Sequence, residues 1–387
     1  MTSTAIPFYG RLSAFYLFYF ALLGTLTPYW ALYLRDLGFA AAQIGTLMAL
    51  PQLTKLVAPN LWGWLADRTG RRLAVIRLGN FLAALIFCLV FRADDFLSMA
   101  LLLIGFSFFW NAVLAQFEVV TLHTLSPHTE RYSQVRLWGS VGFILSVTGV
   151  GQALDYGPVT LVPWVMLALL WLLCLCTLML PREEPGPREH KTGAGLGRIL
   201  RRPPVMAFFL CCFLMQLSHG PYYTFYTIYL DELGIPGGWT GALWALGVIS
   251  EVGIFLLMHR LIQGFRLEWI LLVSLALTAL RWWMIGTLAD SVIMLVLAQT
   301  LHAASFGSFH AAAIHWVHQC FGSRHAGQGQ ALYSSIGFGA GWAAGAWLAG
   351  RLWDTWQGDT FVLAAGAAGL AVLVGGWFWR DRLMGPN

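Results

Sequence analysis

The run GALWALGVISEVGIFLL, residues 241–257, holds sixteen uncharged residues and a single carboxylate, Glu251. A soluble core helix rarely tolerates a lone acid at its centre, and a lipid-facing helix tolerates it less. What the acid does there depends on the solvent the chain lives in, and composition decides that. Hydrophobic residues make up 58% of the 387 and charged residues only 11%. A soluble domain carries about 25% charged residues. The chain reads as a polytopic, all-α membrane protein.

Apolar stretches of spanning length fall near 8–34, 41–66, 72–92, 95–125, 132–156 and 160–180. They resume near 203–231, 238–262, 267–288, 291–320, 325–352 and 357–383. The expected architecture is twelve transmembrane helices: an N-terminal half (1–180), a central cytoplasmic loop (181–202) and a C-terminal half (203–387). The first stretch is too long for a cleavable signal and continues into a span. The six cysteines lie in or at the ends of spans without metal-site spacing, and read as packing residues.

Arg and Lys crowd the loops around DRTGRR (67–72), HTERYSQ (128–134), 182–202, HRLIQGFR (259–266) and GSRH (322–325). The alternate loops hold RDLG (35–38), LDYG (154–157) and DELG (231–234). Basic loops face the cytoplasm, so both termini are expected inside a bacterial cytoplasmic (inner) membrane. The net charge of +5 reflects this asymmetry, and the basic loops are too short and scattered for nucleic acid.

The halves are related. YLRDLG (33–38) returns as YLDELG (229–234) and GTLMAL (45–50) as GALWAL (241–246), both 196 residues on. LWGSVGF (137–143) returns as LYSSIGF (332–338), 195 residues on. Three matches in order at nearly one spacing indicate a six-plus-six repeat, the pattern of carriers whose halves rock about a midplane site. At that spacing Lys55 falls opposite Glu251, each near the middle of the second span of its half. A pseudo-twofold axis along the membrane normal would set them at similar depth on opposite walls of a central cavity.

GWLADRTGRR (63–72) resembles the loop signature of the major facilitator superfamily, matched at Gly63, Asp67, Arg68, Gly70, Arg71 and Arg72. The resemblance implies a cytoplasmic gate. Glycines permit the tight reversal, and Asp67 can hold helix-terminal donors or basic groups that keep that side closed. The counterpart HRLIQGFRLE (259–268) is degenerate, so a weaker latch is expected there.

QVRLWGSVGF (134–143) looks like the start of the fifth helix of lactose permease relatives. Glu118 precedes Arg136 by the eighteen residues at which those relatives pair a Glu and an Arg on substrate. Glu251, Arg281 and His302 fall where relatives carry proton-coupling residues. There are departures: Ser305 stands where lactose permease has its proton-carrying Glu, Gln299 where it has a Lys, and His219 where it has an Asp. LSHGPYYTFYTIY (217–229), LWALGVISEVGIF (243–255) and the His302/His310 pair are similar to the phenylpropionate permease branch, which implies an aromatic carboxylate as substrate.

The expected substrate set is then Lys55, Glu118, Arg136, His219 and Tyr223, with Glu251, Arg281 and His302 for proton coupling. Glu118 and Arg136 read either as a substrate grip or as an interhelical salt bridge, and Lys55 as a partner for Glu251 or a carboxylate anchor. Arg77 reads as interfacial. Three intramembrane cations (Lys55, Arg136, Arg281) against two acids (Glu118, Glu251) suit an anion that completes the neutralisation. Burial disfavours a charged carboxyl, so Glu251 suits a proton-binding role.

His302 and His310 are eight residues apart, roughly 12 Å along a helix, too far to chelate one metal together. No metal, cofactor, or nucleophile–base pair is read from the chain. GAGLGR (193–198) lacks the preceding strand of a nucleotide motif. The reading is a monomeric carrier, not an enzyme, which moves a small organic anion by proton symport and uses only the proton gradient. The alternatives are a sugar or nucleoside symporter and a drug/proton antiporter.

Overall fold

The computed structural model describes residues 8–126, 128–180 and 196–384. The chain is helical throughout these segments. In order come α1 (Tyr9–Asp36), α2 (Ala41–Thr69), α3 (Arg72–Phe87), α4 (Phe96–Leu125), α5 (Tyr132–Leu154) and α6 (Leu161–Leu178). After the short α7 (Leu196–Leu200) follow α8 (Pro203–Ser218), α9 (Gly220–Glu232), α10 (Gly237–Gly264) and α11 (Leu267–Thr287). Last come α12 (Val292–Thr300), α13 (Phe309–Tyr333), α14 (Trp342–Trp356), α15 (Asp359–Phe378) and α16 (Arg380–Met384). A 3-10 turn, Cys88–Arg92, extends α3, and π-helical turns at Ala303–Ser308 and Ser334–Gly341 join α12 to α13 and α13 to α14.

Among the described residues ten helical stretches are long and apolar enough to cross a membrane. The two expected spans not among them are 41–66, in α2, and 325–352. α2 carries Gln52, Lys55 and Asn60 as well as Pro51 and Pro59, and 325–352 spends seven positions on glycine. Both give up apolarity for cavity lining or close packing. The seventh expected span is broken at His219, between α8 and α9. The GSRH loop is reduced to a kink at Gly322 (φ 62°) inside α13. The central loop lies outside the described residues as far as position 195.

The repeat has structural counterparts. Gly38 and Gly234, at equivalent positions, have φ of 87° and 72°. Only glycine takes that left-handed turn without strain, and it closes the first span of each repeat. Among the seams between the first six spans and the rest are α2 on α14, α5 on α10, and α1 on α9. A Cβ on Gly45 would sit 2.5 Å from the Ala346 carbonyl, and one on Gly241, its repeat equivalent, 2.5 Å from the Val147 carbonyl. Backbones therefore touch along both seams near one end of the molecule. That end is also tied by an Arg35–Asp231 ion pair, by Tyr29 Oη donating to the Val147 carbonyl (2.6 Å), and by the Gly238 amide donating to Asp155 (2.9 Å). Asp155 thus caps the N-terminus of α10 from a different helix.

Candidate functional site

A cavity of about 350 Å³ lies between the seams. Residues from both repeats line it. α1 contributes Phe20, Leu23 and Thr27, α2 Lys55, and α5 Arg136, Ser140 and Phe143. Across the cavity stand Tyr222 and Tyr223 from α9, Trp244, Val248, Glu251 and Phe255 from α10, His302 and Phe306, His310 from α13, and Phe338 and Trp342. Its charged side chains are two cations and one acid.

Neither cation has a carboxylate within ion-pair reach among the described residues. The Lys55 Nζ lies 4.8 Å from the centre of the ring of Trp342, on the adjoining helix α14. The Arg136 guanidinium lies 3.9 Å over Phe20 and 5.6 Å from Tyr16. A ring face holds a desolvated cation by about 2 kcal/mol while leaving its N–H donors free for an incoming acceptor. Gly139 makes room: a Cβ there would meet Arg136 at 2.6 Å and Phe20 at 2.8 Å.

Glu251 lines the cavity from α10, which packs on α5, with its Oε2 3.6 Å from Nε2 of His302. His302 Nδ1 is 2.9 Å from the Arg281 guanidinium. Arg281 is fully buried behind the wall and also donates to Ser305 Oγ (2.8 Å) and Gln299 Oε1 (2.9 Å). It is flanked by the Tyr222 and Trp282 rings at 4.3 and 4.6 Å. Ser305 and Gln299 therefore have a positive role as the neutral acceptors that hold Arg281.

Several expected site residues sit elsewhere. Glu118 is not part of the lining and makes no ion pair with Arg136; it accepts from Tyr132 Oη at 3.2 Å, while Arg136 swings toward Phe20 and the cavity. His219 is fully buried at the break between α8 and α9, its Nδ1 bonded to the Met215 carbonyl (2.8 Å) and its ring between Tyr223 and Trp282. It shapes the turn and does not face the cavity. Lys55 and Glu251 share the cavity but make no ion pair. Arg281 supports His302 from behind. Arg77 donates to the carbonyls of Thr177 and Leu180 and so caps the end of α6. Tyr223 and His302 do line the cavity.

The signature loop is held by short-range contacts. Gly70 takes the left-handed conformation (φ 65°) that ends α2. Arg72 bonds both Asp67 and Gln116 of α4, Gly63 packs against that Gln116 amide, and Arg68 lies over Trp64. The Arg71 amide meets Thr69 Oγ1. These contacts tie α2, α3 and α4 together. At the equivalent place in the second repeat, Glu268 accepts from Trp316 Nε1 (3.1 Å) and Arg382 (3.2 Å), pinning α16.

Comparison with known proteins agrees with this architecture. Residues 9–363 match the family described as MFS_1 like. The chain is 29% identical over 348 residues to a probable 3-phenylpropionic acid transporter of Escherichia coli (strain K12), covering 88% of this chain and 89% of that one. It is 28% identical over 363 residues to a maltose permease of Geobacillus stearothermophilus, covering 90% and 89%. In fold it is similar to the nucleoside transporter NupG, with a TM-score of 0.84 at 17% identity over 96% of this chain and 99% of that one. The chain belongs to the MFS_1-like family of the major facilitator superfamily, and is an integral membrane transporter, not an enzyme.

Proposed function

We propose that the protein imports a small organic anion, an aromatic carboxylate of the phenylpropionate kind, together with a proton. The observation that carries this is the pair of cavity cations, Lys55 and Arg136, each resting on an aromatic ring with no carboxylate partner. A monovalent anion would balance the surplus charge, and Phe255 and Phe338 in the lining offer aromatic surface for a ring. Glu251, the acid of the cavity, supplies the negative charge that couples a proton to the anion. The similarity to a phenylpropionic acid transporter supports the same substrate class. The similarity to a maltose permease favours a neutral sugar instead, but a neutral solute would leave one positive charge of the cavity unbalanced.

The test is uptake of radiolabelled 3-phenylpropionate into proteoliposomes with an alkaline interior. Uphill accumulation faster than in protein-free liposomes under the same gradient, and collapsing with a protonophore, is expected. Accumulation of maltose or a nucleoside in its place overturns the assignment.

In the mechanism we infer, twelve helices form two six-helix halves, 1–180 and 203–387, that rock about the cavity with both termini cytoplasmic. The end tied by Arg35 and Asp231 is then the outer face, closed, and the cavity is reached from inside. The two residues occupy equivalent repeat positions. Equivalent residues meet only close to a twofold axis, where identical charges would repel, and the exchange of Arg for Asp turns that meeting into an attraction. Both partners are part-exposed, so the pair contributes at most about 1 kcal/mol, or roughly fivefold in the balance of states. Reversing Asp231→Arg should raise, by about that factor or more, the alkylation rate of a Thr27→Cys reporter from outside, in a background lacking the native cysteines. Adding Arg35→Asp should restore the original rate; no restoration removes the pair from the gate.

At the other face, Asp67→Asn breaks the bond to Arg72 that fixes the α2–α3 turn against α4. Exchange across the membrane should slow by about fivefold or more while equilibrium substrate binding is unchanged. Loss of binding in the folded variant would count against gating.

A further inference from the structure

The two histidines of the cavity are wired differently. His302 receives a hydrogen bond at Nδ1 from Arg281, and a guanidinium can only donate. Nδ1 is therefore an acceptor, and the ring proton sits on Nε2, facing Glu251 at 3.6 Å. A second proton would have to go on Nδ1, against a guanidinium N–H 2.9 Å away. Arg281 has no room to retreat, because Ser305, Gln299 and two aromatic rings hold it from its other sides.

His310 has no such lock. Its Nδ1 lies 2.9 Å from Tyr333 Oη. A hydroxyl both donates and accepts, so this bond survives in either protonation state: Tyr333 donates to the neutral ring, and the charged ring donates to Tyr333. Phe306 stacks between the two imidazoles at 5.5 and 5.7 Å, and Phe338 meets His310 edge-on.

We propose that His310 is the protonating histidine of the cavity, and that Arg281 is a positioning residue that keeps His302 neutral with its Nε2–H toward Glu251. This rests on the proton-coupled reading above and assigns its histidines. The charged and titratable groups around His310 are Glu251 from α10, Arg136 from α5, Lys55 from α2, His302 along the same wall, and Tyr333, with Cys212 of α8 behind it. Glu251 favours an imidazolium, whereas Arg136 and Lys55 oppose it. An anion resting on those two cations removes the opposition. Proton and anion thereby promote each other's binding, and linkage makes the effect reciprocal. That reciprocity is what a symporter requires.

The test is a titration of the purified full-length protein, labelled with 15N-histidine, from about pH 5 to about pH 8, the range of an imidazole. His310→Gln and His302→Gln assign the resonances, and Tyr333→Phe, which should disturb His310 alone, serves if His310→Gln does not fold. The proposal expects the His310 ring to pass from neutral to charged while His302 stays the neutral Nε2–H form throughout. At fixed pH, added 3-phenylpropionate should enlarge the protonated fraction of His310, and its amide should not. A His302 ring that charges while His310 stays neutral overturns the proposal, as do two rings that charge alike. If His310 titrates as described but no pH gradient drives uptake, the assignment stands and proton-coupled transport is what fails.

Discussion

Replacing Glu251 with Gln should abolish accumulation driven by a pH gradient while leaving exchange of substrate across the membrane measurable. The amide is nearly isosteric, and its carbonyl can still face the Nε2–H of His302, so the wall should keep its shape. What disappears is the cavity's carboxylate. Without it, His310 faces Arg136 and Lys55 with no counter-charge, and the cavity loses the means to bind a proton in step with the anion. Exchange needs only that the loaded cavity reorient, with no net change in proton occupancy, so it should survive the loss. The comparison is uphill uptake against counterflow in the same proteoliposomes. Normal accumulation by Glu251→Gln would remove Glu251 from the coupling mechanism.

The second large effect belongs to Arg136 and Lys55. A charged hydrogen bond to a substrate carboxylate contributes roughly 1.5–3 kcal/mol, or about tenfold to a hundredfold in affinity. Arg136→Gln should therefore weaken binding of an aromatic acid by that factor and harm its neutral amide much less. Lys55→Gln should do the same if the carboxylate bridges the two cations. Neither change breaks a direct ion pair, since no carboxylate lies within ion-pair reach of either cation among the described residues, so the fold should survive both. The direct reading is equilibrium binding of the acid and the amide to wild type and the two variants. A preference for acid that survives both changes would move the anchor elsewhere.

The helix that carries each group was legible in the sequence, and direction around each helix axis was not. The eighteen-residue spacing of Glu118 and Arg136 brings them to neighbouring helices, yet one turns toward Tyr132 and the other toward Phe20. Similarly, His219 lies in a motif rich in cavity-facing aromatics, but the break at that position turns its ring inward to Trp282. His302 and His310 both reach the cavity across a π-helical turn, Ala303–Ser308, which alters the angular offset between the residues on either side. No apolar periodicity reveals such a turn.

Arg281 with Ser305 and Gln299 was half legible. The sequence marks these two as departures from an ionisable pattern, and only the geometry gives them a task as acceptors. The Arg35–Asp231 pair was in plain view: aligning YLRDLG with YLDELG sets opposite charges at one position. Reading it required knowing that the axis passes close to that position.

The most direct test of the central claim is counterflow in proteoliposomes of the wild-type protein preloaded with 3-phenylpropionate. External labelled acid should enter rapidly and exceed its equilibrium level for a time, while labelled 3-phenylpropionamide should show no such overshoot. Equal counterflow of acid and amide, or overshoot with maltose or a nucleoside but not the acid, would contradict an anion carrier built on Lys55 and Arg136.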